Sequence, residues 1–357
     1  MWSSNLKEFS MKHRFTSILM LCGLMLMPSL SMAAERPVRL TMTTVFMSHH
    51  PVIKYAIKPW IEKVKKMSNG RLIIDYFNPN TLCPDSELID AVAKDQVNIG
   101  MAACGRQPGR LPGNTVINYM AKVSSAEAGC MAWRKLFTSR PELTEEMKGY
   151  KVLSGMTSPA YHLLMRNGFI KKADDLKGKV MMGSTKDVNM VLRAFGADAV
   201  TLPLNDMYIS MSRGMGDGIM TPVPPIRSAK LNEVCSYLTY INGPVTPSLL
   251  FMSEKFFNNL PEDIQKILVE TTGDELARSI GQALDRGQRE DLEEMQKTGL
   301  QVYAMEPEEV AKLHERMAEP LKQEWLKIVD GRLADAEGLY QAAYDALTEA
   351  SLMYDKK

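Results

Sequence analysis

Apolar and polar positions change their spacing several times between residues 174 and 225, and this stretch predicts a compact run of alternating elements. Residues 179–182 and 199–202 are short apolar runs of the length that buried strands have. Residues 187–195 and 205–213 predict helices, and a glycine cluster then turns the chain into a third strand. Strand, helix, strand, helix, strand is the order of a parallel α/β sheet, in which small ligands bind beyond the carboxyl ends of the strands.

The same spacing rules predict elements over the rest of the chain. Alternating or β-rich runs predict further strands at residues 38–44, 71–77, 97–102, 151–156, 237–241, 249–252 and 301–304. Apolar residues at helical spacing predict helices at residues 52–67, 126–137, 226–230, 307–329 and 335–353. The apolar run at residues 115–120 is predicted to be extended.

One predicted helix is much longer than the others. It begins at Pro261, which suits a first helical turn, and continues to Lys297. Gly273 and Gly287 predict an interruption or a bend near one of them, because glycine weakens a helix interior. A helix of this length can pack across two domains.

Composition and charge indicate a large folded core and exclude a nucleic-acid-binding role. The chain has 357 residues, of which 45% are hydrophobic and 24% charged, and this length predicts two domains. A net charge of +1 provides no basic surface for nucleic acid. The 27 methionines fall mostly at apolar positions of predicted elements, where they fill the core.

The N-terminus has the three parts of an export signal. Residues 12–14 are positively charged or polar, residues 15–27 are apolar and uncharged, and small residues end at Ala33. We therefore expect residues 1–33 to be a cleavable signal peptide, with Met11 as an alternative start, and the mature chain to be periplasmic. No later segment is long and apolar enough to span a bilayer.

The cysteines and histidines do not predict a metal site or a cofactor. After removal of the signal, the oxidising compartment permits one or two disulfides, or buried structural thiols, among Cys83, Cys104, Cys130 and Cys235. Their spacings do not match a zinc site. His49 and His50 are adjacent, and neighbouring side chains do not readily point at one ion.

Catalytic motifs are missing from the sequence. It contains no G-x-S-x-G elbow, no phosphate-binding G-x-x-x-x-G-K and no H-E-x-x-H. The glycines at 214–218 close a helix into a strand, whereas a dinucleotide-binding loop opens a helix after a strand. We interpret Asp217 as bracing this turn. The sequence therefore predicts no enzyme and no catalytic residue.

Several short strings, taken in order, resemble the substrate-binding proteins of tripartite ATP-independent periplasmic (TRAP) transporters. The strings that resemble the second domain of that family are D-D-L-K-G-K at 174–179, A-F-G-A at 194–197, L-P-x-x-D-x-Y at 202–208 and G-x-x-D-G at 214–218. The likeness continues on both sides, with W-x-x-x-V, S-N-G-R-L and N-P-N-x-L within 60–82 and S-E-K-F-F-N-N-L-P-E-D-I-Q at 253–265.

This resemblance implies a fold and a division into domains. The fold is an α/β, two-domain periplasmic-binding-protein (type II-like) fold with two or three crossings and a long domain-spanning helix. Domain I is expected at residues 34–158 and 248–288, and domain II at residues 159–247 and 289–357. Closure of two such domains around a hinge buries a small ligand in the cleft between them.

The resemblance also implies a departure at the ligand site. An arginine is typical of the family four residues beyond the glycine of D-L-K-G, where it pairs with a ligand carboxylate; this chain has Met182 there. A methionine cannot replace a guanidinium in that role. Three interpretations stay open: a ligand without a carboxylate, an organic acid held by Arg106, Arg166 or His162, or a loss of the usual specificity.

Other candidate ligand contacts come from strand ends and from the family pattern. Arg106 follows a predicted strand, and His162 stands where the family often has a basic residue. The remaining candidates carried over from the resemblance are His49, Tyr161, Ser184, Asp206, Thr221 and Pro222. For Asp206, capping of a helix is the competing interpretation, and for Tyr161 and Met182 it is packing in the core.

The predicted function is capture of a small organic solute, with organic acids among the candidates, and its delivery to the membrane permease subunits of a TRAP transporter. We expect a monomer with no nucleic-acid partner. A periplasmic ligand-binding protein that serves a sensor is the alternative, and a periplasmic enzyme is the less favoured third.

Overall fold

The structure of the protein, a computed structural model, describes residues 37–107, 109–121 and 123–354. The chain divides into two units, Met1–Pro37 and Val38–Lys357, and every element below belongs to the second. The predicted signal peptide therefore lies outside the described residues. Within the described part, no helix is long and apolar enough to cross a membrane.

Eleven strands in the described chain form two separate sheets. The first sheet has the order β2-β1-β3-β10-β4, with β1 (Val38–Thr44), β2 (Leu72–Phe77), β3 (Ile99–Ala103), β4 (Tyr150–Thr157) and β10 (Pro247–Ser253). The second has the order β11-β9-β5-β8-β6-β7, with β5 (His162–Met165), β6 (Val180–Gly183), β7 (Asp198–Thr201), β8 (Gly218–Thr221), β9 (Tyr237–Tyr240) and β11 (Gln301–Ala304).

Each sheet contains one strand that runs against the others. In the first sheet β10 is antiparallel to β3 and β4, and in the second β5 is antiparallel to β8 and β9. Both of these strands follow directly after a segment that crosses from one sheet to the other. They therefore begin at the edge of the sheet where the parallel strands end.

The two crossings are hydrogen-bonded to each other. The first joins β4 to β5 and the second joins β9 to β10. Ser158 N donates to Thr246 O at 2.8 Å, Tyr161 N to Pro244 O at 3.1 Å, and Gly243 N to Tyr161 O at 3.0 Å. This pairing makes a short ribbon between the sheets, in the position where a hinge is expected.

Twelve α-helices flank the sheets in the described chain. They are α1 (Lys58–Met67), α2 (Leu88–Ala93), α3 (Ala126–Ser139), α4 (Pro141–Glu145), α5 (Lys186–Ala194), α6 (Leu204–Ser212), α7 (Val223–Ser228), α8 (Glu254–Asn258), α9 (Glu262–Thr271), α10 (Gly273–Lys297), α11 (Pro307–Val329) and α12 (Ala336–Tyr354). A π-helical turn, Ile53–Ile57, precedes α1. The predicted order of elements in residues 174–225 is confirmed by β6, α5, β7, α6 and β8.

The long predicted helix is divided at Gly273, whose φ of 63° lies in the left-handed region that favours glycine. The part after this break, α10, packs against α3 and β4 on the side of the first sheet and against α7 on the side of the second. The glycine at position 281 lets α10 approach α3 closely, since a Cβ at this position would lie only 2.5 Å from Glu127 Cα. The predicted domain-spanning helix is thus confirmed.

The last two helices also connect elements of the two sheets. In α11, Arg316 Nη1 donates to Asp174 Oδ1 at 2.9 Å, next to the second sheet. Farther along the same helix, Trp325 Nε1 donates to the carbonyl oxygen of Pro112 at 3.1 Å, next to the first. Helix α12 packs against α3. The predicted boundaries at residues 158, 247 and 288 remain a prediction.

Two local predictions are wrong. The segment Gly113–Tyr119 is a 3₁₀ helix and not extended, and all seven of its residues are buried. A segment that is buried on all sides has no polar face, so its apolar run carries no periodicity. Helix α6 is preceded by Pro203 at its N-cap position, and Asp206 stands in its first turn without a capping hydrogen bond.

The four cysteines of the described chain are all free thiols, so the alternative of disulfide bonds is not realised. Cys104, Cys130 and Cys235 are buried, and burial raises the pKa of all three thiols. Among residues 37–107, 109–121 and 123–354, no three His, Cys, Asp or Glu side chains are grouped as metal ligands would be.

Candidate functional site

The carboxyl ends of the parallel strands in the two sheets meet at the crossings. Strand β4 ends at Thr157, and β5 begins at His162 beside Thr221, the last residue of β8. The five steps of chain from Thr157 to His162 span at most about 18 Å. A ligand that binds beyond the strand ends of one sheet therefore also lies near those of the other. We call the space between these two edges the cleft.

Tyr161 stands in the first crossing and collects polar groups from both sheets. Loss of hydration raises the pKa of its hydroxyl, and hydrogen bonding with Thr246 and Ser184 lowers that pKa. The carboxylate of Asp187 raises the Tyr161 pKa, and the guanidinium of Arg106 lowers it. Both charges are thus close enough to act on this hydroxyl. Tyr161 is half-buried, so it keeps some contact with solvent.

A hydrogen bond joins the two sides of the cleft directly. Asn118 Nδ2, in the 3₁₀ segment beside the first sheet, donates to Asp187 Oδ2 at 2.9 Å. Asp187 lies in the first turn of α5, which Thr185 caps by accepting from Val188 N. The Asn118 amide also lies against Gly105, where a Cβ would meet Nδ2 at 2.8 Å. A glycine is therefore needed next to Arg106 for this amide to reach across.

Arg106 belongs to the turn that follows β3, as expected for a residue at a strand end. Its side chain is 63% exposed, and Nη1 lies 2.6 Å from Asp85 Oδ2. An exposed ion pair of this kind contributes little to stability and can exchange its partner at small cost. Arg106 is thus able to pair with an anion that enters the cleft.

His162 and Thr221 are neighbours across β5 and β8, and both are buried. The Ile241 N–H donates to His162 Nδ1 at 3.4 Å, and the imidazole packs on the Tyr240 ring with centroids 4.0 Å apart. Burial lowers the pKa of His162 to about 3, so the ring is neutral at pH 7. His162 therefore provides no positive charge for a carboxylate. Pro222 follows Thr221 and is also buried.

Met182 is part of the core and not of the cleft surface. Its side chain is 1% exposed and packs in a cluster with Met207, Met211 and Ile219. Met181 belongs to a different cluster, since successive strand residues point to opposite faces of the sheet. The position that the resemblance gives to an arginine is thus filled by an apolar side chain in contact with apolar neighbours.

Three other predicted contacts do not converge on Tyr161. Arg166 follows β5 at the end opposite His162, about 13 Å away along the strand, and its N–H donates to Asp217 O. Asp206 is exposed in the first turn of α6. His49 is exposed in the loop after β1, and the His50 ring stacks on Phe46 with centroids 4.1 Å apart.

Asp217 Oδ2 accepts from Val180 N at 2.8 Å, which confirms that it braces the turn.

The sequence interpretation missed Asn118, Asp187 and Thr246. Asn118 lies in the segment that is predicted to be extended, and Asp187 is the first residue of a predicted helix, with no ligand role assigned to it. The two are 69 positions apart in the chain, so no spacing rule connects them. The one available signal was the position of Asp187 in the first turn of the helix that follows β6, near a strand end where ligands bind.

Comparison with known proteins agrees with this arrangement. The sequence model of bacterial extracellular solute-binding protein, family 7 (DctP), matches residues 42–327. The C4-dicarboxylate-binding periplasmic protein DctP of Rhodobacter capsulatus is 23% identical over 322 residues, which cover 85% of this chain and 93% of the relative. A solute-binding protein of Verminephrobacter eiseniae is 24% identical over 240 residues, 67% of this chain and 70% of the relative.

Solved structures with the same fold are also TRAP solute-binding proteins. One from a marine metagenome, specific for aromatic acid ligands and solved with 3-hydroxybenzoate, has a TM-score of 0.79 and 25% identity over 88% of this chain and 99% of that one. One from Rhodoferax ferrireducens, solved with benzoate, has a TM-score of 0.78 and 24% identity over 88% and 99%.

These matches confirm the predicted fold class and the resemblance on which it was based. Proteins of this family are substrate-binding proteins that act outside the cytoplasm, bind small solutes and work with membrane permeases. The family match covers most of the chain and includes both crossings, ten of the eleven strands of the described chain and the end of β1. The chain therefore belongs to family 7 of the bacterial extracellular solute-binding proteins.

Proposed function

We propose that the protein captures one small organic acid in the cleft and delivers it to the permease subunits of a TRAP transporter. The observation that supports this proposal is the meeting of the two sheet edges at Tyr161. Its hydroxyl is hydrogen-bonded with Thr246 and Ser184 and is acted on by the charges of Arg106 and Asp187, and Asn118 and Asp187 are hydrogen-bonded between the two sides. Such an arrangement holds a ligand only when the two sides come together.

The carboxylate of the acid binds to Arg106. The neutral His162 and the distance to Arg166 argue against the other two candidate partners. Arg106 exchanges Asp85 for the ligand carboxylate, so its guanidinium stays paired. The bound benzoate and 3-hydroxybenzoate of the relatives support an acid as the class of solute.

The protein acts in the periplasm after removal of residues 1–33, and it has no catalytic activity. The described residues at the cleft include neutral hydroxyls, an amide and two oppositely charged side chains, and no nucleophile paired with a base. Binding and release are therefore the steps that this site supports.

A thermal-shift screen of the mature chain tests the proposal. Organic acids, amides, polyols and amino acids are compared at equal concentration. A solute present at a hundred times its Kd adds about 2.7 kcal/mol of stability, which is readily measured. Arg106→Gln should abolish the shift caused by an acid and leave the melting temperature without ligand nearly unchanged, because Arg106 is exposed. Absence of a shift with every compound class would contradict capture of a small solute.

A further inference from the structure

One buried acceptor atom beside the cleft has no partner in the described part of the chain. Asn118 is 3% exposed, and its Nδ2 is used in the hydrogen bond to Asp187. Its Oδ1 is buried and accepts no hydrogen bond from any described residue. Buried polar atoms without a partner are rare in folded proteins, because the lost hydration is not replaced. This oxygen therefore points to a donor that arrives from outside the chain.

The orientation of the amide is determined by its neighbour. Asp187 is a carboxylate and can only accept, so the nitrogen of Asn118 must face it and the oxygen must face away. Oδ1 and the Asp187 carboxylate thus lie on either side of one NH₂ group. The Asp187 carboxylate, which is charged, and Asn118 Oδ1, which is not, are therefore two acceptors separated by a single NH₂ group.

A structural role for Asp187 alone does not explain this arrangement. An acidic residue in the first turn of α5 stabilises the helix by its charge, and Thr185 already caps this helix. Neither effect needs a bond to Asn118 across the cleft, nor does either satisfy Asn118 Oδ1. The Asn118–Asp187 hydrogen bond brings the negative charge of Asp187, from the side of the second sheet, next to the Asn118 oxygen, from the side of the first.

A positive charge also acts on the Tyr161 hydroxyl. Arg106 and Asp187 both act on this hydroxyl, with opposite signs. Arg106 comes from the end of β3 in the first sheet, and Asp187 from the helix that follows β6 in the second. A ligand in the cleft is therefore offered one cation, one anion and a second acceptor.

We propose that the solute is a zwitterion, whose carboxylate faces Arg106 and whose protonated amine donates to the Asp187 carboxylate and to Asn118 Oδ1. Amino acids and other small molecules with an ammonium and a carboxylate group have this chemistry. An ammonium has three donors and no acceptor, so it matches a carboxylate and an amide oxygen. The inference rests on the proposed function and names the class of solute for the same site.

Matched compounds test this on the wild-type protein. Each amino acid is compared with the 2-hydroxy acid of the same carbon skeleton, and each aminomethylbenzoate with the corresponding hydroxymethylbenzoate, first by thermal shift and then by calorimetric titration. We expect at least one ammonium compound to bind at least tenfold tighter than its hydroxyl partner. If hydroxy acids bind as tightly as or tighter than every ammonium partner, the zwitterion is ruled out while solute capture stands.

Variants test the role of the residues. Asp187→Asn keeps the shape and removes the charge, and it should reduce the preference for the ammonium compound at least tenfold with little effect on the hydroxyl partner. Asp198→Asn is the matched control. Asp198 is an exposed acid at the start of β7, level with the start of β6 and so away from the strand ends that face the cleft, and its replacement should leave the preference unchanged. An unchanged preference in Asp187→Asn would overturn the assignment. If no compound of any class binds to the wild type, the proposed function itself fails.

Discussion

Replacement of Met182 by arginine tests whether the family position can be restored in this chain. In the resemblance, an arginine here pairs with a ligand carboxylate. In the structure, Met182 is 1% exposed and its neighbours are apolar. Its Cε lies 2.8 Å from the position that a Cβ of Gly216 would occupy, so the methionine fills the space that this glycine leaves open.

The cost of Met182→Arg follows from this environment. A guanidinium left without a partner in an apolar core destabilises a protein by about 3–5 kcal/mol. For a folded chain of this size, 1 kcal/mol corresponds to roughly 1.5–2 °C in melting temperature, so we expect a decrease of roughly 5–10 °C. Met182→Leu is the matched control, since it keeps the volume and should cost less than about 1.5 kcal/mol.

Chemical denaturation and calorimetric titration with a carboxylate ligand measure the two effects separately. We expect Met182→Arg to be less stable and not to bind carboxylates more tightly. The explanation would be refuted by a variant that is as stable as wild type and binds an acid at least tenfold tighter, because the arginine would then have reached the cleft.

Three further predictions concern packing, pH and thiols. Gly281→Ala should lower the free energy of unfolding in urea by about 1–3 kcal/mol, since its Cβ would meet Glu127 Cα, although alanine favours helix; a gain in stability would contradict this close contact. The pKa of His162 is lowered to about 3, so the contribution of its neutral ring to the stability of the fold is present above about pH 6.5 and is lost as pH falls towards 3. The variant His162→Asn, whose amide oxygen can still accept from Ile241 N, should lose stability less steeply than wild type between pH 6.5 and 3. Cys83 should react with a thiol reagent in the folded protein, and the three buried cysteines only after unfolding, with no change on prior reduction; an additional thiol released by reductant would show a disulfide.

Much of the fold could be predicted from spacing alone. The last strand, Gln301–Ala304, and the helix Pro307–Val329 have the predicted limits, because an amphipathic pattern changes period where the element changes. The Gly113–Tyr119 segment could not be predicted in this way, since burial on all sides removes the polar face that sets a period. Proline at position 203 preceded α6 where a polar cap at Asp206 was expected.

The site was less predictable than the fold. The Tyr161 hydroxyl is hydrogen-bonded with Ser184, and the Arg106 charge acts on it; each of the three residues follows or precedes a strand end that the sequence indicated. Their contact with a ligand stays a prediction. Asn118 and Asp187 meet only because the two sheet edges face each other, and this depends on the crossings and not on local sequence. The spacing of apolar residues in a short, fully apolar strand does not tell which face of the strand packs against the core. The family resemblance therefore assigned Met182 to the ligand site, whereas its side chain lies in the core.

Calorimetric titration of a solute from the screen into a cleft-blocked variant tests the central claim most directly. Ser184 is exposed at the end of β6 and lies beside the Tyr161 hydroxyl, so Ser184→Trp should fold and fill the cleft. Val269 is 51% exposed in α9, and Val269→Trp is the matched control. We predict that wild type and Val269→Trp bind one solute molecule per chain and that Ser184→Trp binds none. Binding to Ser184→Trp with the affinity of wild type would contradict a site between the two sheets.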